Sequence, residues 1–137
     1  MENKTCKQLV KGKLKSEIGT LRNLWESYQR GEEHCEIEEG YFPEHGLGFD
    51  YVAKGTFKGQ KEGYFRYQIS WGGPAAEFRF FVNPDYTVYR IEYWYLDWFD
   101  GAKVILKDKD YDLLEEIFND FKECGTVEAE LKKSVED

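Results

Sequence analysis

Between residues 48 and 98 the apolar side chains recur at every second position, and this change of period restricts the possible folds more than any other feature of the chain. Phe65, Tyr67, Ile69 and Trp71 alternate with Arg66, Gln68 and Ser70, which reads as a half-buried strand ended by the turn Gly72, Gly73 and Pro74. Phe78, Phe80 and Val82 alternate with Glu77 and Arg79 in the next strand. Asn83, Pro84 and Asp85 supply a second turn before a long segment from Tyr86 to Trp98. Strands joined by such short turns pair antiparallel. Phe49 and Tyr51 begin the alternating region and precede a Gly/Lys-rich loop, and Val104 to Leu106 form a short apolar run after Asp100 and Gly101. The pattern predicts a meander of three to five strands. Tyr93 to Leu96 are apolar on both faces, so the third long strand is expected to be the central or most covered one.

On either side the period is helical. Leu14, Ile18, Leu21, Trp25 and Tyr28 recur at spacings of 4, 3, 4 and 3, predicting a long helix from Thr5 to about Arg30 that Gly31 ends. Gly12 and Gly19 each weaken a helix by about 1 kcal/mol relative to Ala, so its first turns are expected to fray or break near Gly12. Glu32 to Gly48 is rich in Glu and holds Pro43, an acidic connector with at most one helical turn. Leu114, Ile117, Phe118 and Phe121 mark a second helix with Asp108 or Asp110 as N-cap and Gly125 after its end. Thr126 caps a final helix carrying Val127, Leu131 and Val135. The fold class is therefore α+β, an antiparallel meander with a long N-terminal helix and C-terminal helices packed mainly on one face.

A chain of 137 residues suits one domain, 1–137, and can bury about two-thirds of its surface. Its ten Phe, ten Tyr and four Trp supply the core. No run of about 18 apolar residues occurs, and Met1 to Lys15 lack the apolar stretch of a signal peptide, so a cytoplasmic protein is expected. Cys6, Cys35 and Cys124 are odd in number and widely spaced, which suits free thiols.

The net charge of -8 is unevenly placed. Residues 1–30 carry seven Lys/Arg against three acids, whereas residues 108–137 carry four against eleven. An acidic end of this kind repels phosphate backbones and attracts basic protein surfaces, so no direct nucleic-acid partner is expected. Asp112, Glu116, Asp120 and Glu123 fall on one narrow stripe of the second helix and span roughly 16 Å. One DNA strand presents about five phosphates over that length, so four carboxylates come close to one strand though not to a duplex, and partial DNA mimicry is an expectation. A helix that buries Leu114, Ile117, Phe118 and Phe121 also needs a polar face, which explains the same residues by solvation alone.

Glu92, Trp94, Asp97, Trp98 and Asp100 gather three carboxylates and two indoles near the end of the long strand, material for a sugar site or an acid/base pair. Strand parity puts Glu92, Trp94 and Trp98 on one face and Asp97 on the other. Core aromatics with loop acids account for the same letters. His34, Cys35 and His45, with Cys6 or a Glu, match no zinc spacing, so neither a metal site nor a cofactor is expected. Glycine-rich phosphate loops, nucleophile elbows and H-E-x-x-H helices are absent from the sequence, and no catalytic residue is assigned.

The segments Gly48 to Val52, Gly55 to Phe57, Glu62 to Gln68 (EGYFRYQ), Ser70 to Pro74 (SWGGP), Glu77 to Phe80 (EFRF) and Tyr95 to Gly101 (YLDWFDG, continued by Ala102) resemble a family of small proteins encoded on phages, plasmids and other mobile elements. The resemblance covers roughly residues 46 to 106. Where that family's pattern has Ser-Asp after the proline, this chain has Ala75 and Ala76, so no polar role carries over to the turn. The resemblance implies an antagonist of host defence, of anti-CRISPR or antirestriction type. The expected activity is non-enzymatic: an acidic face occupies the basic channel of a nuclease or Cas complex. Partner contacts are expected at Asp112, Glu116, Asp120 and Glu123, and at a second surface formed by Trp71, Glu77, Asp97, Trp98 and Asp100. Two rivals stand beside this reading: a small hydrolase or carbohydrate-binding domain using Glu92, Asp97, Asp100 and nearby Trp, and a homodimeric accessory protein.

Overall fold

The computed structural model describes residues 5–32, 35, 40–71, 74–97 and 100–136, with side chains to 134. Helix α1 runs from Cys6 to Gln29. Its start is written locally: Thr5 Oγ1 accepts from the Gln8 amide at 3.3 Å while the Thr5 amide donates to Gln8 Oε1 at 2.8 Å, a reciprocal capping box. The helix does not break at Gly12. Cys6, Val10 and Leu14 extend the buried stripe through that turn, so packing outweighs the glycine's cost while Gly12 itself faces solvent. Gly31 (φ +80°) and Gly125 (φ +81°) follow the ends of α1 and α3, taking the left-handed conformation that stops a helix.

The four-residue turn α2 (Phe42–His45) follows the connector, of which residues 33–34 and 36–39 lie outside the described residues. Five strands come next: β1 (Gly48–Val52), β2 (Tyr64–Ser70), β3 (Ala75–Val82), β4 (Val88–Asp97) and β5 (Asp100–Ile105). They form one sheet in the order β1-β2-β3-β4-β5 with every pair antiparallel, the expected meander at its upper strand count. Two expectations are corrected. The central strand is β3, whose Ala75 to Phe78, Phe80 and Phe81 are buried, because β5 takes the outer flank of β4. The expected apolar run Val104 to Leu106 is the end of a longer strand, β5, which begins at Asp100 and stops at Ile105.

Helices α3 (Asp108–Glu123) and α4 (Thr126–Glu136) complete the chain. Neither Asp108 nor Asp110 caps α3: the N-cap is Lys107, without a side-chain hydrogen bond, and both acids sit in the first turn, where the helix dipole favours them. Helix α1 lies against β4 and β5, and α4 lies against β1. Alternate residues of the strands, among them Phe65, Tyr67, Phe78, Phe80, Ile91, Tyr93 and Tyr95, meet the helices in one core. Phe118 of α3 is fully buried there, with ring centroids 5.6 Å from Phe65 and 5.1 Å from Phe80. Among the described residues, the other face of the sheet carries no helix. Val52, Tyr64 and Phe81 make a small separate cluster on it. No described helix is long and apolar enough to cross a membrane.

Candidate functional site

The acidic stripe of α3 meets α1 along a groove of about 320 Å³ lined by Trp25, Gln29, Glu116, Asn119, Asp120 and Glu123. Burying Leu114, Ile117 and Phe118 turns the stripe to the edge of the helix layer, where the Trp25 indole donates to Glu116 Oε2 at 3.0 Å. Asp112 lies one turn earlier and is exposed. The structure thus gathers three of the four predicted carboxylates in one groove. Among the described residues no ion pair reaches any of the four. Burial, and then the charge of Glu123, hold the Asp120 carboxyl above its usual range, and the charge of Asp120 is the first cause of the raised Tyr28 phenol. Asp120 and Glu123 also stand in the last turn of α3, where the dipole disfavours negative charge.

These acids therefore oppose stability. A carboxyl whose folded pKa is raised binds its proton more tightly in the folded state, so its contribution is full below the unfolded pKa and is lost as pH rises through the folded one. Asp120→Asn is expected to raise the melting temperature by roughly 2 °C at pH 7 and to leave it unchanged near pH 3. Calorimetry at both pH values checks this, and a variant less stable at pH 7 would contradict it.

The second predicted surface is only partly assembled. Trp71 is 72% exposed after β2, at the same end of the sheet as Asp97 and Asp100. Trp98 lies outside the described residues, as do Gly72 and Gly73. Glu77 is 3% exposed and accepts from Arg79 Nε at 2.7 Å on the helix-free face of the sheet, so its carboxylate is already engaged. Asp100 Oδ2 accepts from the Cys6 amide at 2.8 Å and so holds the start of α1, which also draws its carboxyl below the usual range. Cys6 and Trp25 are separated by 19 helical steps, roughly 28 Å, so the strand-end surface and the acidic groove stand about a helix length apart.

Of the enzyme reading's carboxylates, Asp97 and Asp100 face each other across β4 and β5 beside Cys6, with Asp100 committed to the start of α1, while Glu92 lies apart on the helix-free face. Among the described residues no group of three His, Cys, Asp or Glu side chains is arranged to hold a metal ion. His45 Nε2 lies 2.9 Å from Glu17 Oε2, and His34 is outside the described residues. Cys6 and Cys35 are buried free thiols and Cys124 is an exposed one.

Sequence reasoning missed the helix-free face itself. Register sets Asp50, Arg66, Arg79 and Glu92 side by side across four strands. Arg66 holds Asp50 through two bonds of 3.0 and 2.6 Å. Arg79 is clamped between two rings, 4.0 Å from Trp94 and 4.6 Å from Tyr64. Glu92, 3% exposed, accepts from Trp94 Nε1 at 2.9 Å and Lys103 Nζ at 3.4 Å. Residues 57–62 of the β1–β2 loop border this face and make with it a cleft of about 530 Å³. The parity of Arg66, Arg79 and Arg90 was the available signal, but only cross-strand register shows that they meet. No protein-family model matches this chain, and neither a curated protein nor a solved structure does.

Proposed function

We propose that the protein is a non-enzymatic binding protein whose acidic α1/α3 groove engages a basic surface of a partner, of the kind that lines the nucleic-acid channel of a host defence nuclease complex. The observation that carries the reading is the groove's uncompensated charge. Glu116, Asp120 and Glu123 share it without a cation among the described residues, Asp120 and Glu123 against the helix dipole and Asp120 also against the cost of burial. A cationic partner offsets these costs, and steering between opposite charges speeds its association. The resemblance of residues 46 to 106 to proteins of mobile elements supports the choice of partner class.

The test is cleavage of DNA by a panel of purified CRISPR effectors and restriction nucleases with the protein added. Inhibition of at least one is expected, weakened at least ~10-fold when salt rises from about 50 to about 500 mM. Asp112→Lys with Glu123→Lys, both exposed positions, is expected to lose the inhibition at low salt. Inhibition of none of them, or an inhibition indifferent to salt and to both substitutions, would overturn the proposal.

A further inference from the structure

We propose that the cleft on the helix-free face of the sheet, at the opposite side of the molecule from the acidic groove, is a binding site for a free nucleotide, taking the phosphate on its cations and the base against Phe57. In a chain of net charge -8, five cations line this one cleft: Lys58, Lys61, Arg79, Arg90 and Lys103. Among the described residues only Glu62 and Glu92 line it with opposite sign, and Glu77, paired with Arg79 behind the cleft, adds a third acid against the five cations. Both lining acids are shared: Arg90 reaches Glu62 and lies 3.2 Å from Glu92, and Lys103 adds a third contact to that pair of carboxylates. Lys58 and Lys61 have no ion pair among the described residues. Beyond the Nε bond to Glu77, the Arg79 guanidinium makes no hydrogen bond among the described residues. The positive charge of the cleft therefore exceeds what its own acids neutralise.

Two further observations point to an absent group. Tyr64 Oη and Arg90 Nε, both of cleft-lining residues, are buried without a hydrogen-bond partner, the latter because its approach to Glu92 lacks the alignment a bond needs. Two of the cations, Arg79 and Arg90, are also held in place before any ligand arrives. Arg79 is fixed between Trp94 and Tyr64, and Arg90 lies 3.9 Å over the Phe81 ring, so little side-chain freedom is lost on binding. Guanidinium and ammonium groups together suit a phosphate dianion. Phe57, 52% exposed at the rim, offers an uncovered ring for a planar base. A volume of about 530 Å³ fits one nucleotide, and the acidic remainder of the molecule repels a long polyanion.

The experiment is an NMR and calorimetric titration of the full chain at low salt with adenosine 5′-monophosphate, adenosine, inorganic phosphate and a ten-nucleotide oligothymidylate. Saturable binding of the monophosphate is expected, with shifts confined to residues 57–62, Tyr64, β3, β4 and Lys103, and with adenosine and phosphate alone at least ~10-fold weaker. Lys58→Gln with Lys61→Gln, on an exposed loop that the core does not need, is expected to weaken the monophosphate at least ~10-fold, and Phe57→Ala about 5-fold. Asp112→Lys with Glu123→Lys is expected to leave this binding intact, which separates the cleft from the acidic groove. No saturable binding of the monophosphate, or binding unchanged in the Lys58/Lys61 variant, would overturn the proposal. Oligothymidylate binding ~10-fold tighter than the monophosphate would also overturn it, in favour of a single-strand site.

Discussion

Phe118→Ala is expected to cost about 4 kcal/mol and to lower the melting temperature by more than about 10 °C. Phe118 is fully buried where α3 crosses the sheet, and its ring sits 6.2 Å from Phe49, 5.6 Å from Phe65 and 5.1 Å from Phe80, one residue from each of three adjacent strands. Truncation removes the transfer energy of the ring and leaves a cavity walled by aromatics that relax little. A loss of this size is a large part of the 5–15 kcal/mol that holds a typical domain. Phe57→Ala, at an exposed loop position, is expected to change stability by less than about 0.5 kcal/mol. Urea unfolding of both variants checks the contrast. A Phe118→Ala loss under about 1 kcal/mol would mean that α3 is not what closes the core.

Arg79→Ala carries the second largest expected loss, about 3 kcal/mol, although it lies on the face without helices. Its side chain is 17% exposed and that of Glu77 4%, so removing the cation strands a buried carboxylate and strips one face each from Trp94 and Tyr64. Adding Glu77→Gln is expected to recover more than half of the loss, since the uncompensated charge is then gone. The pair Arg30–Glu32 is the contrast. Its side chains are 58% and 42% exposed, and Arg30→Ala is expected to leave the unfolding midpoint essentially unchanged. A double-mutant cycle by urea unfolding measures both pairs, and equal couplings would show that the sheet face is as solvated as the surface.

The elements were legible because each carries its own period and punctuation. The 3.6-residue stripe of α1, the alternation of β2 and β3, and the glycines after α1 and α3 are local signals, and Thr5 with Gln8 was a readable cap that periodicity alone passed over. The errors fell where local preference met packing. Gly12 stays helical because Val10 and Leu14 are buried beside it, and β4 loses the centre of the sheet because β5 pairs along it. The candidate sites divided in the same way. Helical spacing alone put Glu116, Asp120 and Glu123 on one stripe, whereas nothing local tells Glu77 that the sheet will bury it or Asp100 that it will cap α1 from 94 residues away.

What the chain's own pattern decides, then, is which residues turn inward on each element and where the acids accumulate, because a side chain's direction on a helix or strand follows from the backbone repeat. What only the assembled fold decides is which elements lie side by side. The pairing of Arg66 with Arg79 and of Arg79 with Glu92, and the cleft that residues 57–62 make beside Arg79 and Glu92, follow from strand register and from burying one face of the sheet beneath three helices. Register is set by the summed burial of the whole core and not by any short segment. The cationic cleft, built from residues on four strands and one loop, is therefore a property of the tertiary structure.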